Sequence, residues 1–125
     1  MFTHRITSTY ATEEGNIITA LGTYTGTAEV GYDGTVAATT DLQEVDIAWL
    51  HANVHALLIY SSTALTIKTN VSGSPVQTLV LTAGQTIVWG TDHLEANPVT
   101  ADVTKLFLSN DTASIATVKI RVLIA

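Results

Sequence analysis

The chain has no cysteine, two prolines and five basic residues among its 125. Without cysteine there is no disulfide framework, no thiolate metal site and no thiol nucleophile, and the redox compartment stays undetermined. Five Lys and Arg against 11 Asp and Glu, a formal charge of −6, argue against a nucleic-acid partner. Charged residues make up 13%, roughly half the usual share, which points away from a charge-driven activity. No run approaches the roughly 18 to 20 apolar residues that cross a bilayer. The greasiest, Ala56 to Tyr60, is closed by His55 and Ser61. The first residues, Met1-Phe2-Thr3-His4-Arg5, have neither a signal-peptide nor a transit-peptide pattern. A soluble, unprocessed protein with no membrane partner is the expectation. What is abundant is β-branched: 22 Thr, 12 Val and 10 Ile, over a third of the chain. Strands should dominate a single domain long enough to bury a sizeable core.

The acidity is uneven. Residues 1 to 62 hold Arg5 against Glu13, Glu14, Glu29, Asp33, Asp41, Glu44 and Asp46, whereas residues 63 to 125 hold four charges of each sign. The first 40 residues are Gly/Thr-rich and weak in bulky apolar groups, with Gly22, Gly26, Gly31 and Gly34 closely spaced. They read as an N-terminal arm or edge hairpin, leaving 41 to 125 as a β-sandwich domain.

That second part alternates strand-length runs with turn chemistry. Leu65 and Ile67 alternate with Thr66 and Lys68 before Asn70-Val71-Ser72-Gly73-Ser74-Pro75. Thr78 to Thr82, the turn Ala83-Gly84-Gln85, Thr86 to Trp89, a loop carrying Pro98, and Val103 to Leu108 follow. In the last run Ala116, Val118, Ile120, Val122 and Ile124 share one face, and Thr117, Lys119 and Arg121 the other. Asp41 to Leu58 admits two readings. Leu42, Val45, Trp49, Ala52 and Ala56 fall at helical spacing, while Val45, Ile47 and Trp49 alternate as in a strand, with a loop near His51 to Asn53 and a buried strand Ala56 to Tyr60. The strand is preferred. Short antiparallel strands at roughly ten-residue spacing make an all-β antiparallel sandwich or barrel.

Candidate chemistry is sparse. His51 and His55 could share a metal on a helix, but on a strand they lie about 13 Å apart, too far for one ion. Ser61, Ser62, Ser72, Ser74, Asp92 and His93 supply residue types for nucleophilic catalysis without a nucleophile elbow or an oxyanion motif. Phosphate-binding glycine loops are absent too. The acidic pairs Glu13-Glu14 and Asp92 to Glu95 lack the deep cleft a glycosidase needs. Neither an enzyme nor a metal or other cofactor is expected. Trp49 and Trp89, with Tyr60 and Tyr24, are candidates for a glycan-stacking platform, although both tryptophans sit in phase with aliphatic neighbours, as core residues do.

Several phrases of the second part resemble a known family. These are Ala56-Leu57-Leu58-Ile59-Tyr60-Ser61-Ser62, Leu65-Thr66-Ile67-Lys68-Thr69-Asn70, Gly73-Ser74-Pro75 and Leu81-Thr82-Ala83-Gly84-Gln85 running into Val88-Trp89. Asn97-Pro98, Ala101 to Leu106 with Leu108-Ser109-Asn110, and the ending Ala116 to Leu123 continue the series. In this order they resemble small virion proteins of tailed bacteriophages, capsid decoration (cement) or related head-surface proteins. The resemblance covers about residues 45 to 123 and leaves out the first 40. It implies a jelly-roll-like sandwich without catalytic residues, located in the virion after assembly in the host cytoplasm and bound to the major capsid protein. A thin, Thr-rich domain of this kind is expected to act as a homo-oligomer, with a trimer favoured. A glycan-binding module on Trp49 and Trp89 is the alternative.

Overall fold

The computed structural model describes residues 1–125 and is all-β. Its strands are β1 Phe2–Ala11, β2 Ile17–Gly26, β3 Ala28–Val36, β4 Thr40–Val45, β5 Val54–Ser61, β6 Leu65–Thr69, β7 Thr78–Leu81, β8 Thr86–Gly90, β9 Leu106–Asn110 and β10 Ala116–Ile124. A single 3-10 turn spans His51–Asn53. Of the two readings of Asp41 to Leu58 the helix is not formed, and the strand is formed only in part: β4 ends at Val45, and Trp49 adds an isolated bridge to Val103. Val45, Ile47 and Trp49 are buried in alternation with exposed Asp46 and Ala48, and no helix forms.

Strands β3 to β10 pair in a nested order. β3 pairs with β10, β4 with β9, β5 with β8 and β6 with β7, all antiparallel. The additional pairs β5–β10 and β6–β9 join this double-stranded ribbon into two four-stranded sheets, ordered β3-β10-β5-β8 and β4-β9-β6-β7. Their inner faces make one sandwich core. Val36, Val118, Ile120, Val122, Leu57 and Ile59 come from one sheet, and Val45, Leu65, Ile67, Leu81, Leu106 and Leu108 from the other. The alternation of β10 follows: inward residues are apolar because they meet the opposing sheet, and Thr117 and Lys119 face water.

Two asparagines fasten the loops. Asn110, fully buried, donates from Nδ2 to the carbonyls of Val36, Ala37 and Ser114 at 3.1, 3.2 and 2.8 Å, and its Oδ1 accepts from Thr112. Asn70 adopts a left-handed φ of 70°, which asparagine tolerates better than most residues. Its side chain donates to the Asp102 carbonyl and accepts from the Thr104 N–H at 2.8 Å. The strand expected from Val103 begins instead at Leu106, because Val103 forms only an isolated bridge with Trp49.

The first 26 residues form a separate two-stranded sheet, β1 with β2, in unbroken register from Phe2↔Gly26 to Ala11↔Ile17. Its turn closes through Thr12, whose carbonyl accepts from Gly15 at 3.1 Å, with Gly15 in a left-handed conformation open to glycine (φ 86°). The division of the chain lies at Thr27, not at residue 40. The Gly-rich segment 28 to 36 is β3, an edge strand of the sandwich, where Val30, Tyr32 and Val36 turn to the core.

Candidate functional site: the hairpin seat and its cleft

In β1 and β2, cross-strand partners share a face. Phe2, His4 and Ile6 therefore stand with Gly26, Tyr24 and Gly22 on one side, and Thr3, Arg5 and Thr7 with Thr25, Thr23 and Leu21 on the other. The first side lies on the outer face of the β3-β10-β5-β8 sheet. Glycine is required there by proximity: a Cβ at Gly26 would lie 2.3 Å from the Ile124 carbonyl oxygen, and one at Gly90 of the sheet 2.2 Å from the Tyr24 ring. Inward glycine alternating with outward threonine thus accounts for the composition of this segment.

Tyr24 is the anchor. Its ring, 6% exposed, packs with Ala56, Leu123 and Ile6, and its hydroxyl donates to the Asp92 carboxylate. Burial, with the hydrogen bond to and the charge of Asp92 adding to it, pushes its pKa up to about 12. The edge of the His93 ring faces it, with centroids 6.5 Å apart. Where β10 pairs with β5, the register shifts from Leu123↔Ala56 to Ile124↔Val54, which leaves His55 without a ladder partner. Its Nδ1 lies 2.8 Å from the Thr25 carbonyl of the hairpin.

A chain of charges continues from the seat. His4 Nε2 lies 2.7 Å from Glu29 Oε2, and Glu29 Oε1 is 4.0 Å from Arg121, whose guanidinium bonds Asp33 Oδ2 at 2.5 Å. The hydrogen bond from Arg121 holds the Asp33 carboxyl below the usual carboxylate range. Arg121 also donates to the Ile120 carbonyl at 2.8 Å, so its donors are engaged within the chain.

The hairpin covers only one row of the outer face, Glu29, Leu123, Ala56 and Gly90. The next rows, Arg121-Leu58-Val88 and Lys119-Tyr60-Thr86, run alongside β1 without a cover. Between β1 and that surface is an open cleft of about 470 Å³, floored by Ala56, Leu58 and Val88 and walled by Thr3, Arg5 and Thr7. The cleft combines an apolar floor with the open β1 edge and, at one end, the paired charges of His4, Glu29 and Arg121. It suits an extended chain better than a compact reactant, and it contains no nucleophile paired with a base.

The residues singled out from the sequence scatter. Trp49, 6% exposed, is inside the sandwich. Trp89 is half-buried against the core, with Nε1 donating to the Glu95 carbonyl at 2.9 Å. Tyr24 is under the hairpin and Tyr60 is on the bare outer face, so the four aromatics do not share a surface. The His51 N–H donates to Asp102 while His55 reaches the hairpin, and no three His, Cys, Asp or Glu side chains converge as a metal-holding group. Ser61 is buried with its hydroxyl on the Thr63 carbonyl, and Asp92 is engaged by Tyr24. The hairpin seat was not singled out from the sequence. Its one signal is the loss of alternation at Val122-Leu123-Ile124, where the strand is covered on both faces.

The chain matches no family model, no curated protein and no solved structure.

Proposed function

We propose that the chain is a structural protein of a bacteriophage virion, a decoration or cement protein that binds the major capsid protein at the shell surface as a symmetric oligomer. The observation that carries this is the nested pairing of β3 to β10, first with last and inward, wound into two four-stranded sheets. We read that winding as jelly-roll-like, the architecture used by viral capsid and lectin domains. The side chains support the same view: Ser61, Ser62 and Asp92 serve loop and strand contacts, and the cleft beside β1 fits an extended chain. Such a protein acts through its faces and edges, and the hairpin is the element least committed to its own core. Co-sedimentation of the full chain with purified capsids tests the proposal. The chain should pellet with shells at a saturating, stoichiometric ratio and be found by mass spectrometry in purified particles; absence from both refutes it.

The glycan-binding alternative is favoured by one feature. Trp89 borders a cleft of about 400 Å³ at the loop end of the sandwich, beside Thr91 and Thr100. Titration with a glycan array, using Trp89→Ala, separates the two functions: lost sugar binding with the fold retained would support the lectin.

A further inference from the structure

β1 pairs with β2 on one side only, and its other edge is open along ten residues, Phe2 to Ala11. From Ile6 to Ala11 that edge carries no charge, no proline and no bulge, the devices by which exposed strands are kept from pairing with other chains. At Ile6 and Thr7 it borders the cleft over the bare pair Leu58-Val88. The hairpin also outruns its seat. Tyr24 rests over Ala56 and Gly90, the latter in edge strand β8, while Tyr10 and Ile18, on the same inward face, are each 68% exposed. A two-stranded ribbon without cover is at best marginally stable in water, so this distal half calls for a partner.

We propose that the partner is a second copy of this chain. The two hairpins are exchanged about a two-fold axis, each lying antiparallel along the open edge of the other's β1 and across the other's bare rows. Three features of the surface select this occupant. An antiparallel strand placed against its own copy is self-complementary, as a two-fold contact requires. The apolar inward face of the distal hairpin, Tyr10 and Ile18, meets an apolar floor, Leu58 and Val88. The hairpin turn carries Glu13 and Glu14, and the outermost bare row carries Lys119, which stands opposite Asp33 of β3 but forms no salt bridge with it.

Size then decides between one-way and reciprocal docking. The distal hairpin from Thr7↔Leu21 to Ala11↔Ile17 has five cross-strand pairs. It is about 17 Å long and about 10 Å wide, so one such face buries on the order of 350 Å² counting both surfaces. A stable interface needs about 1,000 Å². One hairpin falls well short; two, with their β1 edges joined and the β8 edges brought side by side beneath them, approach it. The contact is two-fold, in place of the trimer favoured from the sequence. It does not depend on the virion proposal, because capsid binding and self-association are read out separately.

Sedimentation velocity on the full chain between about 1 and 100 μM tests it. A reversible dimer is expected, with Val88→Lys and Tyr10→Lys each weakening self-association about tenfold or more and Thr78→Lys, on the opposite sheet, leaving it unchanged. The absence of native cysteine allows a second measurement. Single cysteines at Thr7, Ser8 and Thr9 are scanned under mild oxidation, and at least one should form a disulfide-linked dimer, because a two-fold antiparallel pairing sets a central residue against itself. A cysteine at Thr78 should not. A monomer throughout, a stoichiometry other than two, a dimer indifferent to both lysine substitutions, or cross-linking no better in β1 than at Thr78 would each overturn the proposal.

Discussion

Gly90→Ala adds one methyl group, and its effect should run through a single side chain. Gly90 is in β8 without a positive φ, so alanine meets no backbone strain there. By restricting the unfolded chain it would otherwise stabilise the protein by about 0.4–1 kcal/mol. The added Cβ, however, would stand 2.2 Å from Tyr24 Cζ. Ordinary carbon contacts are about 3.5–4.0 Å, so the ring must move by more than an ångström. It has nowhere to go, with Ala56 and Leu123 against it and its hydroxyl on Asp92. Driving it out loses the burial of the ring, about 1.5–3 kcal/mol, and a hydrogen bond to a carboxylate, about 1.5–3 kcal/mol. Gly90→Ala should thus weaken hairpin docking by about 3–6 kcal/mol and leave the sandwich core intact. In a Tyr24→Ala background the clash is absent, and the same substitution should become neutral or slightly stabilising. Hydrogen exchange resolves this. Amides of β1 and β2 should lose protection in either single variant, while those of β5 and β10 keep theirs, and the double variant should be no worse than Tyr24→Ala. Additive costs, or a hairpin still protected in Gly90→Ala, would refute the seat as described.

Further tests address other parts of the fold. Tyr24 keeps its proton to about pH 12 in the folded chain, whereas an unfolded tyrosine ionises near 10. The folded state therefore holds one more proton between those values, and stability should fall by about 1.4 kcal/mol per pH unit across that window; Tyr24→Phe should remove this part of the slope in denaturant titrations at pH 9 and 11. Asn110→Ala strands the carbonyls of Val36, Ala37 and Ser114 and should cost about 3 kcal/mol or more, seen as a lowered Tm without loss of strand content by circular dichroism. Ile120→Ala, at a fully buried position on the central strand β10, should cost about 2–5 kcal/mol in urea unfolding. Asp33→Asn should flatten the stability curve on its acid side, because the lowered Asp33 pKa contributes stability above the unfolded carboxylate value and loses it as pH falls through the folded one.

Much of the sandwich was legible because its strands bury one face. The alternation of β10, Leu65 and Ile67 in β6, and the turn at Gly84 with its φ of 71° all follow from local chemistry. The hairpin was not, and the reason is physical. Two of the residues that β2 turns to the sheet are Gly22 and Gly26, which have no side chain, so the apolar period that marks a half-buried strand is missing. Its main anchor is a partner 68 residues away, Tyr24 to Asp92, and no local pattern encodes it. β3 went unrecognised for a related cause. Val30, Tyr32 and Val36 do alternate, but Gly31 and Gly34 dilute the signal, and the mate that makes it a strand is the last one in the chain.

The nested pairing also explains the charge asymmetry. A chain that folds its first sandwich strand onto its last sets early acids beside late bases. Glu29 and Asp33 of β3 meet Arg121 of β10, and Glu44 and Asp46 meet Lys105, which precedes β9. The hydrogen bond and charge of Glu44 accordingly raise the Lys105 pKa. The excess of acid in the first half is thus largely directed inward, onto the second half, and is not by itself a surface for a basic partner. Exposed pairs of this kind contribute about 0–1 kcal/mol each, so they serve the register of the ribbon more than its stability. Among the charges in no salt bridge are Glu13 and Glu14 at the hairpin turn and Lys119 on the bare outer face, where it stands opposite Asp33 of β3. Reversing both glutamates to lysine should leave thermal unfolding of the monomer unchanged, because they touch nothing in their own chain. The same change should weaken the dimer, and adding Lys119→Glu should restore it. A monomer destabilised by the reversal, or a dimer that ignores it, would show that these charges are not directed at a second copy.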